Sequence, residues 1–450
     1  MIAGGENPIS TWLQRRRGLC GLYCESIAWD QTEEWFLRHG EISHRTGGFF
    51  SVRGLATRSN DARWNNIEQP IIHQPEIGIL GFLYRYTGEE LEILLQAKTE
   101  PGNVHAVQIG PSVQATVSNY TRLHGGAPTP YLDYFLSSNG AVQRIGDVAQ
   151  SEQGNRFLNK FNRNVSLLVH GAGPEPASNN WFWHPVRILL PLLTTDWAVN
   201  TDARSVLCCS DWKLLATNRV PFDGGEKRSD FRSLLRESFV AADQRAEHSL
   251  SDVLLWIHAS NTKVSVALQF VPLHQLNGWR VTTGGITDEA SNLFHVQLFH
   301  VQADDREVSH WQQPLLASCR SVKIVLLCQE RRGLLYFLVR ASREIGFTRG
   351  VQLGPTAQSD QIRLNGDPLS AYALDVCAQE QLSVRQSDEG GRFYRSIANY
   401  SIKLLDETEA VPATGDTIWL TLSQLYALSK RRGRLTNELR STLSLVLSLL

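Results

Sequence analysis

No run of apolar residues in this chain reaches the ~18 that a membrane-spanning helix requires, so a membrane protein of that kind is not expected. Cysteine is sparse and unpatterned. The seven, Cys20, Cys24, Cys208, Cys209, Cys319, Cys328 and Cys377, are odd in number and do not recur where other residues do. That argues against a disulfide framework and fits a reducing compartment. Cys20 and Cys24 have a metal-like spacing, but no second Cys/His pair stands at zinc-finger distance, and no metal is expected. Neither sign of charge dominates: 44 Lys and Arg face 45 Asp and Glu. The basic field that would attract nucleic acid or an anionic membrane is missing. Arg15-Arg16-Arg17 leads into no apolar stretch, so no signal peptide is expected and a cytoplasmic protein is. A Walker A loop, a Gly-x-Gly-x-x-Gly fingerprint and a Gly-x-Ser-x-Gly elbow are all absent. None of the 13 histidines forms a His-x-x-x-His pair. Chemistry run by side-chain acids and bases, with no metal and no cofactor, is what remains.

What the chain does contain is itself twice. Val107-Gln-Ile-Gly-Pro-Ser-Val-Gln114 returns as Val351-Gln-Leu-Gly-Pro-Thr-Ala-Gln358, an offset of 244 residues. The same offset pairs Trp12 with Trp256, Trp35 with Trp279, Phe50 with Phe294, Gln69-Pro70 with Gln313-Pro314, and Glu100 with Glu344. A later block keeps an offset of 236: Ser151-Glu-Gln-Gly-Asn-Arg-Phe157 matches Ser387-Asp-Glu-Gly-Gly-Arg-Phe393, Trp183 matches Trp419, and Arg204-Ser205 matches Arg440-Ser441. One shorter loop between Gln358 and Ser387 reconciles the two registers. Two domains are therefore expected, residues 1–209 and 250–450, joined by a helical connector over 210–249.

Each copy reads as α+β. Gly78–Tyr86 and Leu91–Ala97 read as a strand–turn–strand unit, as do Val322–Cys328 and Leu334–Val339. Shorter strands near Phe49–Val52 and Val104–Ile109 would complete a mixed sheet. Phe157 and Phe161, spaced i,i+4, predict a helix after Gly154. Further helices are expected over Trp183–Leu193, Trp419–Ser429 and Asp230–Arg245. Glu100-Pro-Gly-Asn103 predicts a turn in which Gly102 takes a positive φ.

The densest polar cluster runs from Gln96 through Lys98, Glu100 and Asn103 to Gln108, Gln114, Asn119, Tyr120 and Arg122. Glu100 could simply cap its turn. A lysine, a glutamate and several amides beside strands are costly to bury, however, unless they bind one another or a ligand. In the second copy Glu100 persists as Glu344, whereas Lys98 becomes Ser342 and Asn103 becomes Phe347. Gln114 and Gln358 offer donor and acceptor together, suited to a pyrimidine edge or sugar hydroxyls, or equally to a loop carbonyl. Arg156, near an expected helix start, could hold phosphate. Trp35, Trp64, Trp279 and Trp311 could stack on a base, although a tryptophan is more often core.

These strings resemble the NDP-hexose 2,3-dehydratase family of deoxysugar biosynthesis over essentially the whole chain. The resemblance is carried by Glu68–Ile72, Pro75–Gly81, Gln96–Asn103, Gln114–Arg122, Ser151–Leu158 and Asn162–Asn164, and in the second half by His310–Leu316, Leu353–Thr356 and Ser387–Phe393. It implies two tandem Nudix-like domains, without a Nudix box, and a dTDP-sugar site in each half. The implied reaction is loss of water across C2 and C3 of an NDP-4-keto-6-deoxyhexose. The C4 ketone acidifies the C3 hydrogen, and the enolate expels the C2 hydroxyl.

On that reading Glu100 is the candidate base or acid, Lys98 the oxyanion stabiliser or proton donor, and Tyr120 an alternative acid. Gln114 and Asn119 would orient the sugar, Arg122 and Arg156 would hold the diphosphate, and Trp35, Gln69 and Gln108 would complete the site. A second nucleotide site is expected from Trp279, Trp311, Gln313, Glu344, Thr356, Gln358, Glu389 and Arg392. A homodimer and functional coupling to an NADPH-dependent 3-ketoreductase are expected. A non-catalytic nucleotide-sugar binding protein is the alternative.

Overall fold

The computed structural model describes residues 7–121, 128–137, 140–216, 230–290, 293–304, 308–348, 350–360 and 366–450. Among these residues, two seven-stranded sheets are the largest of four. In the first, strand Gly78–Thr87 lies between an antiparallel partner, Glu90–Thr99, and a parallel one, Phe161–Val169, with Val142–Ser151 and Trp181–Pro185 at the edges. In the second, Val322–Arg331 lies between Leu334–Ser342 and the parallel Ile397–Leu405, with Gln379–Ser387 and Thr417–Thr421 outside them. The strand orders correspond one for one. Gly78–Thr87 is buried from Gly78 to Tyr84 because both faces of this central strand are covered, as its near-continuous apolar run foretells.

Two smaller sheets show that the copies are interlocked. Trp35–Arg38, Glu41–His44, Ser51–Ser59 and Glu68–His73 pair among themselves, and the edge of Ser51–Ser59 is completed by Val266–Val271 from the other copy. Reciprocally, Tyr23–Ile27 pairs with Phe294–Gln302 in the sheet of the second copy. Each copy thus lends one strand to its twin. The small sheets share a core in which Trp35 and Phe50 meet Trp279 and Phe294. The large sheets share another through helices Thr201–Cys208 and Asn437–Leu447, capped by Asn200 and Thr436 and buried along their whole lengths.

Several local expectations fail. Trp183 and Trp419 lie in strands, and the helices begin only at Val186 and Leu422. Their indoles lie beside the Arg85 and Arg331 guanidiniums, at 4.3 and 4.9 Å. Phe157 and Phe161 share no helix, because Asn159 between them is left-handed (φ 47°) and Phe161 opens a strand. The connector helix runs only over Phe231–Val240. Ala241 (φ −59°, ψ 129°) leaves the helical conformation, and Asp243 beyond it accepts the Leu250 amide and a Gln424 Nε2 hydrogen bond. No helix among the described residues is long and apolar enough to cross a membrane.

The turn at Glu100 forms, but its positive φ belongs to Ala106 (60°). Gly102 is required for a different reason. A Cβ there would lie 1.7 Å from the Phe393 carbonyl oxygen, since Gly102 donates to Gly390 O at 2.8 Å. Gly346 repeats the arrangement, donating to Gly154 O at 2.7 Å, with its would-be Cβ 1.9 Å from Phe157 O.

Candidate active site

The crossing of these turns decides which residues can share a pocket. Two cavities related by the internal repeat lie where they meet. The first, about 440 Å³, is lined by Lys98, Glu100, Gln114, Asn119, Glu152 and Asp202 of the first copy and by Trp311, Gln313, Glu389 and Arg392 of the second. Trp35, Phe49, Phe50 and His44 supply its aromatic side. The second cavity, about 500 Å³, joins Trp64, Gln69 and Arg156 of the first copy to Arg340, Ser342, Asp360 and Asp416 of the second.

In the first cavity Glu100 is 2% and Lys98 6% exposed. Glu100 accepts from Gln114 Nε2 at 2.8 Å and from the Gly390 amide at 3.2 Å, so its carboxyl is held by both copies. Gln114 Oε1 accepts from Asn200 Nδ2 at 3.3 Å. Glu152 accepts from Asn162 Nδ2 (2.8 Å) and Asn437 Nδ2 (3.2 Å). Arg392 lies 4.3 Å from the Phe50 ring and donates to Gly391 O at 2.7 Å and Gln74 Oε1 at 3.3 Å. Lys160, buried beside Glu76 and Glu152, has its pKa lowered by desolvation. Burial pushes the Glu389 carboxyl up to about 7 against the opposing pull of Arg392, and pushes Asp202 far above the usual carboxylate range. The wall therefore mixes five carboxyls (Glu34, Glu100, Glu152, Asp202 and Glu389) with four cations (Arg45, Lys98, Lys160 and Arg392), next to rings that can pack on a flat ligand. Among the described residues, no group of three or more His, Cys, Asp or Glu is arranged as a metal site.

The repeat relation shows what the second cavity has lost. Lys98 corresponds to Ser342, Lys160 to Ser396, and Glu389 to Gln153. Arg392 keeps its counterpart in Arg156, which lies 4.5 Å from the Phe294 ring and 3.6 Å from Asp360. Arg340 instead pairs with Asp367 at 2.7 Å and Asp416 at 3.1 Å.

A family model described as NDP-hexose 2,3-dehydratase matches residues 6–210 and 250–446. The chain belongs to the NDP-hexose 2,3-dehydratase family. It is 34% identical over 431 residues to a dTDP-4-dehydro-6-deoxy-alpha-D-glucopyranose 2,3-dehydratase of Streptomyces violaceoruber, covering 93% of this chain and 91% of that protein. Enzymes with the same name from Saccharopolyspora spinosa and Amycolatopsis orientalis are 32% and 29% identical, each over 97% of this chain and about nine-tenths of their own lengths. The two stretches matched by the dehydratase family model leave out 211–249, the region between the copies.

Within this dehydratase the candidate residues do not group by copy. Trp311, Gln313, Glu389 and Arg392 join Lys98 and Glu100, whereas Arg156 and Gln69 line the other cavity. Gln108 lines neither; it donates to Ser387 Oγ at 2.7 Å and ties the copies together. Thr356 bridges neighbouring strands by accepting from Leu327 N and donating to Leu338 O. Gln358 is buried in a short strand against Ile324. Trp279 is core, donating to Glu68 O at 3.0 Å. Glu344 lies behind its cavity and accepts the Asn155 amide at 3.1 Å. The side chain of Tyr120, and Arg122 entirely, lie outside the described residues. Asp202, Glu152 and Lys160 were not singled out in the sequence. Asp202 opens a helix just before the Arg204-Ser205 repeat, where helix-capping chemistry is the ordinary reading of an aspartate.

Proposed function

We propose that this chain removes water from C2 and C3 of dTDP-4-keto-6-deoxy-D-glucose, giving the unstable dTDP-3,4-diketo-2,6-dideoxyhexose, and that the turnover site is the Lys98–Glu100 cavity. One observation carries the reading. Of the two repeat-related cavities, only this one is lined by buried lysines, Lys98 and Lys160, beside Glu100. Its volume falls in the roughly 300–1,000 Å³ range of small-ligand sites.

The elimination needs a base at C3, a stabiliser for charge growing on the C4 oxygen and a proton for the departing hydroxyl. Glu100 is suited to proton transfer at C3, and the Lys98 ammonium to the C4 oxygen. Gln114 and Asn119 would orient the sugar hydroxyls, Arg392 the diphosphate, and Trp35 with Trp311 the thymine. Tyr120 remains an alternative acid. Dehydration followed by tautomerisation is redox-neutral, so the sugar supplies every electron and no redox cofactor is required.

Each half (1–209 and 250–450, with 210–249 between) is read as a Nudix-like domain. The second cavity binds nucleotide without turnover, having Ser342 and Gln153 where the first has Lys98 and Glu389. The enzyme is read as a cytoplasmic homodimer that hands its reactive diketone to an NADPH-dependent 3-ketoreductase. A chain in which both cavities only bind would have no use for the asymmetry between them. The test is incubation with dTDP-4-keto-6-deoxy-D-glucose, a 3-ketoreductase and NADPH. NADPH consumption that requires this chain is the expected result, and its absence overturns the reading.

A further inference from the structure

Four of the carboxyls that line the first cavity, Glu100, Glu152, Asp202 and Glu389, are of two kinds. Glu100 and Glu152 each accept two hydrogen bonds and are fixed by them. Among the described residues no donor reaches the carboxyl of Asp202, which is buried, or of Glu389, which is half-buried, although both line the same cavity. Glu389 sits on the turn that the second copy inserts against Glu100. A Cβ added to Gly391 would lie 2.8 Å from Glu389 Oε1 and 3.8 Å from Glu100 Oε1, so the two carboxyls border one glycine-sized space. The corresponding residue on the first copy's turn is Gln153, which cannot exchange a proton.

We infer that Glu389, contributed by the second copy, protonates the departing C2 hydroxyl, an assignment that rests on the dehydratase reading of this cavity. Proton and electron accounting closes. The base removes the C3 proton, and that electron pair forms the C3–C4 enolate. As the enolate collapses, the pair moves to C2–C3 and the C2–O bond breaks. Glu389 gives its proton to the leaving oxygen, releasing water and becoming a carboxylate. In the tautomerisation the C3 enol hydroxyl reprotonates Glu389 while the base returns its proton to C2.

The surroundings suit both states of the acid. Without hydrogen-bond donors, and facing Glu100, Glu152 and Asp202, the carboxyl keeps its proton to higher pH than an ordinary glutamate. Arg392 and Lys160 then stabilise the carboxylate once the proton has gone. A carboxyl tuned toward neutrality has the balance a general acid needs at physiological pH.

The deciding experiment compares wild type with E389Q in D₂O, reading both trapped product and deuterium entry at substrate C3. Glutamine already occupies the equivalent position as Gln153, so the variant is expected to fold. Product formation should fall by about 100-fold or more, while C3 exchange persists because the enolate still forms. The wild-type rate should decline as pH rises through about 7, a limb that E389Q lacks. Near-normal product formation, loss of C3 exchange along with product, or survival of that limb in E389Q would each overturn the assignment. Failure of the dehydratase reading looks different, since wild type itself would then yield no product.

Discussion

Arg204 and Arg440 hold equivalent places in the repeat, and each guanidinium reaches into the other copy. Arg204 donates to Ser387 O at 3.1 Å and Gln386 Oε1 at 3.1 Å; Arg440 donates to Ser151 O at 2.6 Å and Ser205 Oγ at 2.9 Å. Ser387 and Ser151 open the turns that carry Glu389–Arg392 and Gln153–Arg156. These two buried arginines therefore anchor the loops that build the opposite cavities.

Replacing either arginine with alanine strands several buried acceptors and leaves a void. A loss of about 3 kcal/mol or more is expected for R204A or R440A, read as a lower urea midpoint. Lysine should rescue poorly, because one ammonium cannot reproduce the spread of a guanidinium fork.

Lys98→Ser installs the residue that the second cavity already has. Turnover in the trapped-product assay should drop about 100-fold, the usual loss for one oxyanion donor, with dTDP affinity nearly unchanged. Glu100→Gln should likewise abolish turnover, whereas Glu344→Gln should leave it within about twofold. The opposite ranking would move the active site to the second cavity.

Gly102→Ala tests the crossing of the copies. Its Cβ would meet a backbone carbonyl, which no side-chain rotation can relieve. A destabilisation of at least about 1–3 kcal/mol is expected, with loss of activity, measured by thermal melting and by assay. Gly346→Ala should cost comparable stability, since its Cβ meets Phe157 O in the same way.

Glu389 also predicts a pH dependence of stability. Its pKa rises from 4.5 in the reference state to about 7 in the fold. Between those values the unfolded chain binds fewer protons than the native one, so this group's contribution to stability is complete below about 4.5 and is lost as pH rises through about 7. E389Q should accordingly show a flatter stability profile than wild type between pH 4.5 and 7, measured as urea midpoints at a series of pH values.

Much of the site's raw material was legible in the chain. Lys98, Glu100 and Gln114 stood out because polar groups interrupted strand-like sequence, and all three line one cavity. Glu389 and Arg392 were also visible, but as part of a second site. Asp202 escaped notice because an acidic residue at a helix start has an ordinary local explanation. The helix expected at Phe157 failed because two aromatic residues four apart fit a turn-plus-strand as readily as a helix when a left-handed Asn159 intervenes.

The sequence by itself determined the duplication, the family, the central strand pairs and the polar turn at Glu100. Those features rest on register, apolar periodicity and turn chemistry, which act over a few residues or repeat at a fixed offset. Only the tertiary structure decided that the Glu100 carboxyl would meet the Gly390 amide, 290 residues away. The reason is topological. Exchange of strands Tyr23–Ile27 and Val266–Val271 and the packing of two buried helices drive each copy's turn into its twin, so each cavity takes its walls from both.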